Sequence, residues 1–169
     1  MRIIVSDSNC LIDLRKASLL RVFLRLPYEI LIPNTLFEDE LLSFTDVERK
    51  MMLDGGLKVI DIPGPQVARA REVIRSRPRL SIHDGFAFTL AEAYPGCVLL
   101  TGDAQLRILA EASAIEVHGV LWVFDEIHKN QLATAKILHT ALARLAADSA
   151  VRLPKHELAV YLRRYQSYQ

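Results

Sequence analysis

Short apolar runs that are each followed by a helical pattern recur along this 169-residue chain, and this recurrence limits its fold more than any other feature. The runs lack the strict apolar–polar alternation of half-buried strands, so they are typical of strands covered on both faces of a parallel sheet. The five runs are Arg2–Ser6, Glu29–Ile32, Leu57–Ile60, Cys97–Thr101 and Ile115–His118. The sequence therefore predicts an α/β fold with a central parallel sheet of about five strands.

The pattern changes after His118, from where only helices are predicted. Their approximate ranges are 120–130, 132–147 and 154–166. Pro154 is suited to open the last helix, because proline is tolerated in a first helical turn. The chain has the length of one domain, and no segment resembles a long linker. We therefore predict an α/β domain over residues 1–130 and a helical extension over 131–169 that packs on the same domain.

Composition excludes several protein classes. A hydrophobic share of 51% with 24% charged residues excludes a disordered chain. The two cysteines, Cys10 and Cys97, form no close-spaced pair, which disfavours a disulfide scaffold or a zinc site. No segment approaches the roughly 18 consecutive apolar residues of a membrane span, and Asp7 comes too early for a signal peptide. We expect a cytoplasmic protein that does not enter a membrane.

Positive charge is local rather than global. The net charge of +1 does not indicate a generally basic nucleic-acid binder. Five arginines nevertheless follow one another in and after a helix predicted near Gln66–Arg75: Arg69, Arg71, Arg75, Arg77 and Arg79. Because this helix ends just before Ser81, we expect Arg75, Arg77 and Arg79 to offer a local electropositive surface to an anionic substrate. A solvated helix face is the alternative interpretation.

Acidic residues stand where strands of the predicted sheet give way to helices. Asp7 ends the first strand, and Asp103 follows the fourth. Ligands of parallel α/β sheets gather outside the carboxyl ends of the strands, although an aspartate there also makes a good helix N-cap. Asp84 follows Ser81 by three residues, which resembles a capping box.

Three acids, Glu38, Asp39 and Glu40, compete for the position after the second strand. At 100° per residue, one sector of this segment is apolar, with Leu36, Phe37, Leu41 and Phe44 as its members. Glu40 falls inside that sector, and a core-facing carboxylate is costly unless it is paired or bound to a cation. Glu40 is therefore the functional candidate and Glu38 the reserve. The alternative is a glutamate at a rim that reaches water.

Four acids would then converge at one end of the sheet: Asp7, Glu40, Asp84 and Asp103. Crowded carboxylates repel one another, and a hard divalent cation relieves that repulsion. A ligand set made of oxygens favours Mg²⁺ or Mn²⁺ over zinc. Such a metal binds phosphates and activates water, so the pattern indicates phosphodiester chemistry.

Several segments in this order resemble those of PIN-domain nucleases. Val5–Leu14 is similar to the family's first strand and helix, and Glu40-Leu41 to its second acid. Leu80–Asp84 and Leu99–Asp103 resemble the segments around the third and fourth acids, and Gly119–Asp125 fits the segment after the last strand. The resemblance runs from residue 2 to about residue 126, and the helical tail is longer than in minimal members.

This resemblance implies a three-layer α/β/α fold and a metal-dependent endoribonuclease similar to the toxins of bacterial toxin-antitoxin modules. The four acids would hold Mg²⁺ or Mn²⁺, with Asn9 and Thr101 orienting the carboxylates. RNA as substrate, a cognate antitoxin and a homodimer are the implied partners. The alternative is a non-catalytic PIN-like module that binds RNA or protein. A response-regulator-like phosphoacceptor is disfavoured, because Asp7 has no adjacent acid and residues 118–125 contain no lysine.

Overall fold

A computed structural model describes residues 1–168 and confirms the predicted α/β fold. Its strands form one parallel sheet in the order β3-β2-β1-β4-β5. They are β1 (Arg2–Ser6), β2 (Tyr28–Pro33), β3 (Lys58–Ile60), β4 (Val98–Leu100) and β5 (Glu116–His118). The five predicted runs are therefore the five strands of the sheet.

Some strand ends differ from the predicted ones by a residue. Leu57 and Cys97 were expected to begin strands and are buried, but neither pairs in the sheet. Their backbone N–H groups donate instead to Met52 and Tyr94, in the turns that follow the preceding helices. Pairing therefore begins one residue later, since a donor used in a turn is lost to the sheet.

Helices cover both faces of the sheet and give three layers. Within residues 1–168 they are α1 (Ser8–Lys16), α2 (Leu20–Phe23), α3 (Asn34–Asp39), α4 (Asp46–Asp54), α5 (Gly64–Arg75), α6 (Ile82–Glu92), α7 (Ala104–Ala112), α8 (Val120–Lys129), α9 (Ala135–Ala147) and α10 (Lys155–Ser167). Helix α6 contacts β1, β2 and β4, with α5 and α7 packed against it. The right-handed crossover from β1 to β2 places α1 on the opposite face, and α8 and α9 lie on that face too because both contact α1.

The chain reverses its direction of travel across the sheet beside β1. Strands β2 and β3 extend from one side of β1, whereas β4 and β5 extend from the other. The backbone N–H of Asp7 donates to Leu100 O at 3.0 Å, which ties the ends of β1 and β4 together. A topological switch point of this kind leaves a crevice at the carboxyl ends of the strands. The loops after β1 and β4 border this crevice.

The single-helix projection used for residues 36–44 is wrong. Its four apolar residues are buried as predicted, but α3 ends at Asp39, and Glu40 is exposed just beyond it. Arg49 of α4 donates to the carbonyl oxygens of Phe37 and Leu41, both at 2.6 Å. Because a longer helix would need the Phe37 carbonyl for Leu41 N–H, this interaction favours the helix end.

Three helices follow β5 as predicted, although α9 begins three residues later than expected. Gln131 has a positive φ of 57°, and the Thr134 hydroxyl accepts from Ile137 N to cap α9. Helix α10 packs on α9, and its Tyr165 is fully buried with its hydroxyl donating to Asp125 of α8. No helix within residues 1–168 is both long and apolar enough to cross a bilayer.

Candidate active site

Asp7 and Asp103 flank the switch point and are linked through Thr101. Asp7 caps α1 by accepting from Cys10 N at 2.9 Å, and its other oxygen accepts from the Thr101 hydroxyl at 2.6 Å. The same Thr101 oxygen accepts from Asp103 N at 3.1 Å. Asp103 in turn caps α7 through Leu106 N. Thr101 is fully buried, so it holds both aspartates in fixed positions.

Glu40 reaches this end of the sheet through Ser8. The buried Ser8 hydroxyl, in the first turn of α1, donates to Glu40 Oε1 at 2.6 Å. Ser8 directly follows Asp7 in the chain, so this contact brings the Glu40 carboxylate close to Asp7. It does so even though Glu40 does not lie in the buried apolar sector. Glu38 is exposed and makes no hydrogen bond or ion pair within the described residues. The structure thus brings Glu40, rather than Glu38, to the other acids.

Asp84 is fixed at the start of α6 by the capping box that the sequence indicated. The Ser81 hydroxyl accepts from Asp84 N at 3.1 Å, while Asp84 Oδ2 accepts from Ser81 N at 2.8 Å. Burial raises the pKa of Asp84, the charges of Asp103 and Glu40 add to the increase, and the bonds to Ser81 oppose it. Asp84 is therefore close enough to both Asp103 and Glu40 for their charges to repel its own.

Asp7 is the most buried of the four acids. Only 6% of the surface of Asp7 is exposed to solvent. Burial raises the pKa of Asp7 to about 6, the charge of Asp84 adds to this increase, and the bonds from Thr101 and Cys10 oppose it. Asp84 is therefore close enough to each of the other three acids for their charges to repel, at the carboxyl ends of the strands.

The donor chemistry of this acidic end suits a hard divalent cation, because every candidate ligand is a carboxylate oxygen. Asp84 and Asp103 each use one oxygen in a cap and, within residues 1–168, leave the other without a hydrogen bond. No three His, Cys, Asp or Glu side chains in this part of the chain already form a metal-holding group. An ion would therefore have to draw the carboxylates closer together.

Two polar neighbours of the acids were not selected from the sequence. His83 lies with Nε2 3.3 Å from Asp39 Oδ2 and Nδ1 4.0 Å from Glu40 Oε2. Ser8 donates its hydroxyl hydrogen bond to Glu40 and so orients that carboxylate. Asn9, which was expected to orient a carboxylate, is exposed and makes no side-chain hydrogen bond to the acids in the described structure. Ser8 occupies the supporting position that we had expected Asn9 to take.

The five arginines differ in their distance from the acids, and Arg69 and Arg71 lie further back along α5 than the other three. Arg69 pairs with Glu92 at 3.2 Å, and Glu92 ends α6, whereas Asp84 begins it. Arg69 is therefore about a helix length away from the acids. Arg75 ends α5, and Arg77 and Arg79 lie in the loop that leads to Ser81. Within residues 1–168 these three make no ion pair, so their charges are available to an anion.

Close packing fixes α5, and with it this arginine loop, against α6. A Cβ added to Gly85 would lie 3.2 Å from both the Cβ and the carbonyl oxygen of Ala70. A side chain at this position would therefore push α5 and α6 slightly apart, and glycine avoids that displacement. Because Gly85 directly follows Asp84, the close contact lies beside one of the four acids.

A cavity of about 1160 Å³ opens next to Asp103 and Thr101. Its walls come from α1, the loop after β4, the start of α8 and the loop between α9 and α10. The sequence did not indicate this cavity, because its walls come from segments far apart in the chain. The acidic end of the sheet therefore has a substrate-sized space beside it.

The sheet order and the acids at its switch point define a doubly wound α/β domain with an acidic ligand-binding end. A protein-family model described as a PIN domain matches residues 3–167. The chain therefore belongs to the PIN-domain family, whose fold is of the nuclease type. This confirms the family resemblance found in the sequence. Comparison with curated proteins gives no match.

Proposed function

We propose that this protein is a metal-dependent endoribonuclease in which Asp7, Glu40, Asp84 and Asp103 hold Mg²⁺ or Mn²⁺. The observation that carries the proposal is the placement of Asp7 and Asp103 at the switch point of the sheet, linked through Thr101, with Glu40 held beside them by Ser8. Four acids kept together at a cost in repulsion are expected where a cation compensates for it. Membership of the PIN-domain family supports the same function.

The bound metal would supply a Lewis acid for the phosphate and an activated water. The protein's own residues fix the ligands in advance. Thr101 holds Asp7, Ser8 holds Glu40, and the Ser81 cap holds Asp84. Supporting hydrogen bonds of this kind orient carboxylate ligands and keep their free oxygens directed to one region. RNA as the substrate, a cognate antitoxin and a homodimeric state belong to this proposal.

A non-catalytic PIN-like module is the second candidate. It is favoured by the structural use of the acids, since Asp7, Asp84 and Asp103 all cap helices. One measurement distinguishes the two candidates. An unstructured RNA that carries a fluorophore and a quencher is incubated with the protein and Mn²⁺, and its cleavage is compared with that of the same sample in EDTA. Metal-dependent cleavage supports the nuclease. RNA left intact at high enzyme concentration with either metal would favour the non-catalytic module.

We expect Glu40, rather than Glu38, to contribute to metal binding. Glu40→Gln should weaken Mn²⁺ binding by about tenfold or more, because loss of even a supporting group around a metal costs ten- to hundredfold. Glu38→Gln is the matched control, since it makes the same chemical change two residues away and should bind Mn²⁺ like the wild type. Calorimetric Mn²⁺ titration measures both variants. The reverse order of affinities would show that the structure places the wrong glutamate at the site.

We also expect Arg75, Arg77 and Arg79 to contact RNA phosphates. Replacing all three with Gln should weaken RNA binding and lower its salt dependence, by about 0.7 in logarithmic slope for each lost contact. Binding is measured across a salt series in Ca²⁺, to separate it from cleavage. Removing Arg21, Arg25 and Arg163, which are exposed elsewhere, controls for net charge. Equal slopes in the two triple variants would identify the first set as a solvated surface.

A further inference from the structure

The cavity beside Asp103 has walls unlike those of the acidic end. Thr101 and Asp103 line its edge, so the cavity adjoins the acidic end of the sheet at Asp103. On the far side it is lined by Arg152 and Leu153, which precede α10, and by Tyr161 of α10 itself. The C-terminal segment therefore supplies one wall of a space that adjoins the proposed cleavage site.

Flat aromatic side chains line this cavity. His118 and Trp122 are stacked with their ring centroids 4.4 Å apart and their planes only 6° from parallel. Both residues are half-buried and line the cavity together with Tyr161. Aromatic rings that remain partly open to solvent offer stacking surfaces to nucleobases, whatever the base sequence.

The basic residues of the cavity differ in their availability. Lys16 lies 3.5 Å from Asp148, and Arg107 lies 3.7 Å from Glu111, so both already have acidic partners. Arg152 is exposed and has no ion-pair partner within residues 1–168. A guanidinium without an acidic partner, set beside aromatic rings, suits the phosphate of a bound nucleotide.

We propose that this cavity binds unpaired bases of single-stranded RNA next to the phosphate that is cleaved, with Arg152 contacting the backbone. The proposal rests on the proposed nuclease function and specifies its substrate. A base can enter only when it is unstacked from its neighbours, which single strands permit and duplexes resist. The volume of about 1160 Å³ is ample for a small ligand. Because Asp103 lines the edge of the cavity, RNA bound at the proposed cleavage site would reach it, which favours RNA over a protein segment as the occupant.

The chain contains a single tryptophan, and it lies in this cavity. Trp122 fluorescence is therefore a specific reporter of what binds there. A single-stranded oligoribonucleotide titrated in Ca²⁺ should change that fluorescence in a saturable manner. An oligonucleotide of equal length and charge, with abasic linkers at its central positions, should bind at least about fivefold more weakly, as expected for the loss of one stacked base. An equal affinity for both ligands would overturn the proposal.

Two variants separate the Arg152 contact from general charge. Arg152→Gln should weaken binding of the intact oligonucleotide several-fold, whereas Arg163→Gln, on the exposed part of α10, should leave it unchanged. Both substitutions are at exposed positions without ion pairs in the described structure, so both variants should fold. Binding that is equal in these two variants would contradict the assigned contact.

Failure of this inference is distinguishable from failure of the nuclease function. If RNA is cleaved with Mn²⁺ but leaves Trp122 fluorescence unchanged, the cavity is open to a protein segment and the inference is overturned while the nuclease stands. If RNA changes the fluorescence but is not cleaved, base binding stands and the nuclease fails. If RNA is neither cleaved nor bound, both the inference and the nuclease function are overturned.

Discussion

Asp103→Asn is expected to lower Mn²⁺-dependent RNA cleavage by about a hundredfold or more, since even the partners of metal ligands are worth ten- to hundredfold. The fold should be preserved, because Asn is as good an N-cap as Asp and its side-chain oxygen can still accept from Leu106 N. Substitution therefore removes a charge from the proposed metal site without removing the cap. Initial cleavage rates at saturating Mn²⁺ measure the effect.

The same chemical change away from the site is its control. Asp54 is exposed, and it pairs with Lys50 only as an i,i+4 surface ion pair, which contributes little to stability. Asp54→Asn should therefore cleave RNA at the wild-type rate. Circular dichroism of both variants verifies that they are folded. Wild-type activity in folded Asp103→Asn protein would remove Asp103 from the catalytic site.

The strands of the sheet could be predicted from the sequence because each is marked by a local pattern of residues. An uninterrupted apolar run such as Ile3–Val5 indicates a strand buried on both faces wherever it occurs in the chain. The central position of β1, by contrast, depends on which strands pair, and Asp7 contacts Leu100, which lies 93 positions further along the chain. Periodicity carries no information about such pairings, so the crevice between β1 and β4 came from the structure.

Glu40 shows how a residue selected on a wrong premise can still lie beside the other acids. It was selected as a core-facing helical residue, but it lies after the end of α3 and is exposed. Arg49, from the next helix, occupies the carbonyl oxygen that would have continued α3. A helical projection cannot include a donor from another element. The contact with Ser8, which brings Glu40 to the acids, is non-local for the same reason.

The packing of the C-terminal helices also could not be predicted from local sequence patterns. Their positions followed from apolar periodicity and Pro154, but their contacts depend on distant partners. Tyr165 donates to Asp125, and Arg164 pairs with the same carboxylate at 2.8 Å, both about 40 residues apart in sequence. These contacts fix α10, whose Tyr161 forms part of the cavity wall.

Asp7→Asn is expected to stabilise the metal-free protein at neutral pH while abolishing cleavage. Burial raises the pKa of Asp7 from 3.8 to about 6, so the folded protein holds this proton more tightly than the unfolded chain does. The free energy of unfolding should therefore fall as pH rises from about 4 to about 6 and stay low above that range. At 1.36 kcal/mol per pKa unit, the ionised carboxylate costs up to about 3 kcal/mol at pH 7.

Asn carries no such charge and can still accept from Cys10 N as the cap of α1. Chemical denaturation in EDTA should accordingly show Asp7→Asn as the more stable protein at pH 7, with the advantage lost near pH 4, where the wild-type carboxyl is protonated. Mn²⁺ at pH 7 should reverse the order, because a bound cation stabilises only the protein that keeps the ligand. A wild type that is insensitive to Mn²⁺, or an advantage that persists unchanged at pH 4, would contradict the interpretation that the costly buried charge of Asp7 is maintained for a metal.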